Sequence, residues 1–153
     1  MISMQAKYSI RALLYLAKHR GAKPVTTKDI AQSEAIPRKF LEAILVDLRN
    51  AGLVKSRLGK AGGYTLERRP DTITLSTVLR LVDGPIAQVP CVSQLAYAPC
   101  PDCPGEHICV LRTVMKQVRD STAKILDHTT FQDLLDRETT LRASDPDFLE
   151  YQI

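Results

Sequence analysis

Four cysteines carry most of the chemistry in this sequence, and they are segregated. Residues 1–90 contain none, and Cys91, Cys100, Cys103 and Cys109 follow within one short stretch. In a reducing compartment such clustering favours metal or redox chemistry over a structural disulfide framework. Cys100-Pro-Asp-Cys103 is a Cys-x-x-Cys turn, whose backbone can curl so that two thiolates converge on one metal centre. Four thiolates meet the demand of a structural zinc or of an iron–sulfur cluster. The spacing leaves both open, because only one Cys-x-x-Cys pair is present. A thiol–disulfide switch using two of the four is a third reading. His107 lies two residues before Cys109 and is a possible substitute ligand, although such a histidine is more often a surface residue at a helix start. Nothing else resembles a catalytic constellation: the three histidines are scattered, and there is no Ser/His/Asp arrangement and no phosphate-cradling loop. The chain is therefore read as non-enzymatic.

Charge is segregated too. Residues 1–69 carry 14 Lys/Arg against 5 Asp/Glu, a net of +9, whereas residues 70–153 carry 7 against 12, a net of −5. A basic half suits a polyanionic partner. No apolar run approaches the roughly 20 residues needed to span a bilayer, and the N-terminus lacks a secretory plan. These features predict a cytoplasmic protein with no membrane partner.

The elements that must position these groups follow from periodicity. Apolar residues Ala6, Ile10, Leu13, Leu14 and Ala17 recur at spacings of three and four, predicting an amphipathic helix from Gln5 to His19. A short second helix starts near Thr26-Thr27, where a threonine hydroxyl can cap backbone amides, and stops around Ser33. Pro37 suits the first position of a third helix, about Arg38 to Asn50, with Phe40, Leu41, Ile44, Leu45 and Leu48 on one side. Gly52 can take the left-handed conformation that ends it. A short helix, a tight turn and a longer helix with a polar outer face form a helix-turn-helix plan. Leu53 to Ser56 and Gly63 to Leu66 then read as two short strands. The Gly-rich turn between them carries Arg57 and Lys60, so the hairpin reads as a basic wing. A fourth helix begins near Thr74 or Ser76 and closes at Asp83-Gly84-Pro85. A cysteine-bearing loop of about 20 residues is long enough to call for a functional reason. From His107 the apolar residues Ile108, Leu111, Val114, Met115, Val118, Ile125 and Leu126 mark a long helix with a two-sided stripe, which suggests a dimer interface. Thr130 and Asp133 cap one last short helix through Leu135, and the polar tail from Arg137 is expected to be mobile.

Several of these stretches together resemble the iron–sulfur cluster regulator family, the IscR-, NsrR- and RirA-like winged helix-turn-helix repressors. They are Tyr8 to Ala17, Phe40-Leu41-Glu42, Leu48 to Val54, Gly59 to Leu66, Leu75 to Gly84, and the cysteine loop before the long helix. The likeness covers roughly residues 1–135. It implies a winged domain, a long crossing helix that makes a homodimer, and a two-iron or four-iron cluster held by three loop cysteines. The family's final five-residue spacing recurs between Cys103 and Cys109, which implies those two as ligands with Cys91 or Cys100 as the third. This sequence departs from the family in three places. It carries a fourth loop cysteine. Its first acidic residue is Asp29, so no carboxylate ligand comes from the N-terminus. Leu58 precedes the wing glycine where relatives often have arginine.

The expectation is a mainly α fold with a small β wing, in four parts. Residues 1–84 form a winged helix-turn-helix DNA-binding domain and 85–106 a cysteine-rich cofactor loop. Residues 107–136 form the dimerisation helix with a short terminal helix, and 137–153 a flexible tail. The expected function is a DNA-binding regulator, a repressor, sensing redox, nitric oxide or iron status through a cluster on Cys91, Cys100, Cys103 and Cys109. Arg38, Lys39 and Glu42 are placed to reach base edges of a double-stranded operator, with phosphate contacts from Thr27 at a helix start and from Arg57 and Lys60 on the wing. The rivals are the same fold with zinc or a thiol–disulfide switch, and an iron–sulfur carrier or electron-transfer protein whose basic half binds an acidic protein.

Overall fold

The computed structural model describes residues 2–103 and 105–144. Its first helix, α1 (Met4–Lys18), starts where Ser3 accepts a hydrogen bond from the Ala6 amide at 3.0 Å, and it buries Ala6, Ala12, Leu13, Leu16 and Ala17. The short α2 (Thr27–Ser33) is capped by Thr26, whose hydroxyl accepts from the Asp29 amide. The third helix, α3 (Arg38–Asn50), turns Leu41, Ile44, Leu45 and Leu48 inward. Phe40 departs from the predicted buried face: it is 41% exposed and meets Tyr8 edge-on, with ring centroids 5.7 Å apart. At Gly52 the backbone takes φ 68°, a region that costs a glycine nothing.

The wing consists of β1 (Val54–Arg57) and β2 (Gly63–Leu66), antiparallel, with Val54 opposite Leu66 and Arg57 opposite Gly63. Sequence periodicity gives no hint of its anchor. Val25 pairs with Tyr64 through two backbone hydrogen bonds, 2.9 and 2.8 Å long, stapling the wing to the segment before α2. Gly63 is demanded by that crossing, because a Cβ there would lie 2.5 Å from the Val25 carbonyl oxygen.

After a turn of 3-10 helix at Pro70–Thr72, α4 (Leu75–Val82) is capped by Thr74 and buries Ser76, Val78 and Leu79. The cysteine loop contains a second 3-10 turn, Pro90–Val92, that buries Cys91 and Val92. The long helix α5 (Val110–Asp127) starts three residues later than its apolar pattern predicts, because Cys109 is its N-cap. It packs on α4 and on the Pro90–Val92 turn. Only Arg119 and Ala123 of α5 are buried, while Val110, Leu111, Val114, Val118 and Ile125 are exposed by 39–82%.

The last helix, α6 (Phe131–Ala143), corrects the expectation of an end near Leu135 and a mobile tail from Arg137. Thr130 and Asp133 form the reciprocal capping box. Farther along, Glu138 pairs with Lys18 of α1 at 2.7 Å and with Arg142 at 2.8 Å, so the second half of the helix has its own partners. The remainder of the expected tail, 145–153, lies outside the described residues. Backbone hydrogen bonds from Leu75 to Thr129 and from Phe131 to Ile73 return α6 to the winged unit. There Phe131 joins the core cluster with Leu13, Ile30, Leu45 and Val78.

Candidate functional site

The helix-turn-helix is built by α2, a tight turn and α3. The turn places Ala35 at φ 47°, and the Ile36 amide bonds back to the Ala31 carbonyl at 2.9 Å, driving Ile36 into the core. Pro37 precedes α3 without a side-chain cap, so the first-turn amides of that helix remain available to an anion such as phosphate. Arg38, Lys39 and Glu42 all stand exposed at this end. Arg38 Nε donates to Glu42 Oε1 at 2.9 Å, so the two form one charge-compensated unit rather than independent readers. Arg57 and Lys60 are exposed on the wing, with Leu58, 94% exposed, at its tip. Thr27, the first residue of α2, is half-buried and the least accessible of the six.

The cysteines are only partly brought together. None is in a disulfide; Cys91 is buried, and Cys100, Cys103 and Cys109 are half-buried. Side-chain hydrogen bonding with the neighbouring Cys91, then desolvation, then the charges of Cys91, Cys103 and Asp102 raise the Cys100 pKa above the ordinary thiol value. The Cys103 amide closes the Cys-x-x-Cys turn on the Cys100 carbonyl at 3.2 Å. Cys109 stands apart in role, its Sγ accepting from the Arg112 amide at 3.4 Å as the α5 cap. Among the described residues no three His, Cys, Asp or Glu side chains are placed to hold a metal ion, and His107 is exposed.

A polar clasp missed by sequence reasoning closes the loop. Tyr97 donates to Glu106, and Glu106 pairs with Arg112 in the first turn of α5 at 3.1 Å. The hydrogen bond to Glu106, with desolvation and the Glu106 charge behind it, raises the Tyr97 pKa. These three residues bracket Cys100, Cys103 and Cys109. Their spacing follows no helical or strand period, so nothing in the sequence pattern marks them.

Comparison with known proteins decides the family. The family model Rrf2, described as an iron-dependent transcriptional regulator, matches residues 2–137. The chain belongs to the Rrf2 family. Its members are DNA-binding transcriptional regulators and not enzymes, as the sequence predicts. An rrf2-like HTH-type transcriptional regulator of Rhodobacter capsulatus is 41% identical, over 88% of this chain and 92% of its own length. The solved structure of CymR, the global cysteine regulator of Bacillus subtilis, superposes with a TM-score of 0.75. It is 34% identical, covering 90% of this chain and 97% of the other. The structure of T. potens IscR gives a TM-score of 0.71 at 30% identity, covering 90% of this chain and 88% of the other. These likenesses bear out the mainly helical fold with its small β wing. Among the described residues no helix is long and apolar enough to cross a membrane.

Proposed function

We propose that this Rrf2-family protein is a homodimeric repressor whose hold on its DNA operator is set by an iron–sulfur cluster on the loop cysteines. It responds through that cluster to redox, nitric oxide or iron status. The observation that carries the reading is the donor set: four thiols in one loop, none in a disulfide, two already in contact and a third on the adjoining turn. The iron-dependent description of the family model supports it. Iron bound there would supply redox-active, thiolate-ligated chemistry. The three or four ligands come from Cys91, Cys100, Cys103 and Cys109, and the described arrangement needs closure of the loop to bring a third thiol in. Cys109 links the two halves of the reading, since a cap that is also a ligand ties cluster state to the start of α5.

The exposed stripe on α5 is the face for the second copy, as Val110, Leu111, Val114, Val118 and Ile125 form one apolar strip left exposed by the described residues of the protomer. A paired α5 sets the separation of two α3 helices, which must reach half-sites about one DNA turn apart. Arg38, Lys39 and Glu42 read base edges, while Thr27, Arg57 and Lys60 lie along the phosphates.

A second reading rests on the Cys91–Cys100 contact. An oxidant such as hydrogen peroxide would take two electrons and two protons from that pair, forming one disulfide and two waters.

Anaerobic purification separates the two. The cluster reading expects visible absorbance with iron and sulfide in the protein, lost in Cys103→Ser and Cys109→Ser while the helical circular dichroism persists. Operator affinity then differs between cluster-bound and cluster-free protein by about 5–150-fold. Colourless protein that loses two hydrogens in mass on peroxide treatment, and fails to do so as Cys100→Ser, replaces the cluster with the disulfide.

A further inference from the structure

Arg119 sits on the inward side of α5, away from the exposed stripe, with its side chain only 8% exposed. One of its nitrogens, Nη2, pairs with Asp120 Oδ1 at 3.0 Å. The other two, Nε and Nη1, are sealed from solvent and have no hydrogen-bond partner among the described residues. Buried guanidinium groups rarely leave donors idle, because desolvation of the charge then goes uncompensated. The neighbouring charges do not balance either. Asp120 is shared with Lys116, and Asp127 is engaged by Arg80, so two carboxylates serve three cations. Both idle nitrogens are already covered within the protomer, so a second copy packing on the outer face does not reach them.

A cavity of about 10 Å³ lies at this place, lined by Arg119, Arg80, Ser93, Gln94 and Ala123 among others. That is room for one water-sized group. Ser93 also lines it; its Oγ accepts from the Ala96 amide at 2.9 Å, and a hydroxyl that accepts one bond keeps an O–H to donate. The wall therefore offers donors and a residual positive charge, in a space that takes one halide ion or one oxygen of a carboxylate and no larger group.

We infer that this cavity is a binding site for a small monovalent anion, a halide or a single carboxylate head group, held by Arg119 with Ser93. The site lies where the cysteine loop (residues 93–95), α4 and α5 meet. An anion there ties the root of the loop to both helices, in a place none of the four cysteines occupies.

Thermal unfolding of the full-length protein tests it, in sodium chloride or sodium formate against sodium gluconate at constant ionic strength. Gluconate is too large for the cavity. At an anion concentration tenfold above half-occupancy, Tm is expected to stand about 3–6 °C above the gluconate value. Response to chloride alone marks a halide site, and response to both salts a site that also takes a carboxylate. Arg119→Gln abolishes the response, and Ser93→Ala moves half-occupancy to severalfold higher anion. Equal Tm in all three salts, or an undiminished response in Arg119→Gln, overturns the site. Should Arg119→Gln fail to fold, chloride-35 NMR of the wild type decides. Line broadening by the protein supports the site, with displacement by formate marking one that also takes a carboxylate, and the absence of broadening overturns it.

Discussion

The winged unit and the loop with α5 are built on opposite principles. From α1 to α4 the protein spends its apolar residues inward: Leu13, Ile30, Leu41, Leu45, Leu48 and Val78 are sealed in one cluster, closed from outside by Phe131. In α5 the larger apolar residues face outward, and the buried positions are an alanine and an arginine. The first region can hold its shape without a partner. The second is specified by polar links instead, through the Tyr97–Glu106–Arg112 clasp, the Cys109 cap and the Arg80–Asp127 pair. Under the proposed function this division suits a regulator, because a part that reads DNA must be constant while a part that senses must have alternatives of similar free energy.

Three substitutions press on that contrast. The largest effect is expected for Phe131→Ala, which opens a void in the core cluster and costs about 3–5 kcal/mol in chemical denaturation. It should loosen the winged unit although the residue belongs to the last helix. A loss of less than about 1 kcal/mol would mean that α6 is dispensable to the core. Next comes Val114→Lys, which places a charge in the middle of the outer stripe. It should weaken self-association by about 1–3 kcal/mol while far-UV circular dichroism stays unchanged. Sedimentation equilibrium reads the shift to monomer, and an unchanged mass would remove the α5 strip as the interface.

The smallest effect belongs to Asp127→Asn at the α4–α5 contact. The Arg80 hydrogen bonds and then the Ser76 hydrogen bond hold the Asp127 carboxyl below the usual carboxylate range. Its contribution is therefore present above the unfolded-state pKa, about 3.9, and is lost as pH falls through the lower folded value. The side chain is 39% exposed, so the loss at neutral pH should stay under about 1 kcal/mol. Urea midpoints of wild type and variant should differ at pH 7 and converge toward pH 2–3. A constant difference across that range would show that the ion pair contributes nothing through its charge.

What the residues determine by themselves is the local plan. Thr26, Thr74 and Thr130 announce helix starts through hydroxyls that accept from amides three residues on, and each is the cap in the structure. The spacing of Leu41, Ile44, Leu45 and Leu48 marks the inner face of α3, and Gly52 its end, because a 3.6-residue period and a left-handed turn are properties of a few neighbouring residues. The positions of Arg38, Lys39, Glu42, Arg57 and Lys60 on an exposed surface follow from the same local rules. Tertiary structure alone decided the rest. The start of α5 depends on Cys109 accepting from Arg112, a capping role that cysteine rarely signals. The length of α6 depends on Lys18, 120 residues away from Glu138 in the chain. The contact of Cys91 with Cys100 and the sealed guanidinium of Arg119 depend on how a loop without period folds against two helices. Periodicity reports which face of an element is buried; it carries no record of which distant backbone amide, carboxylate or thiol will meet that face when the chain closes.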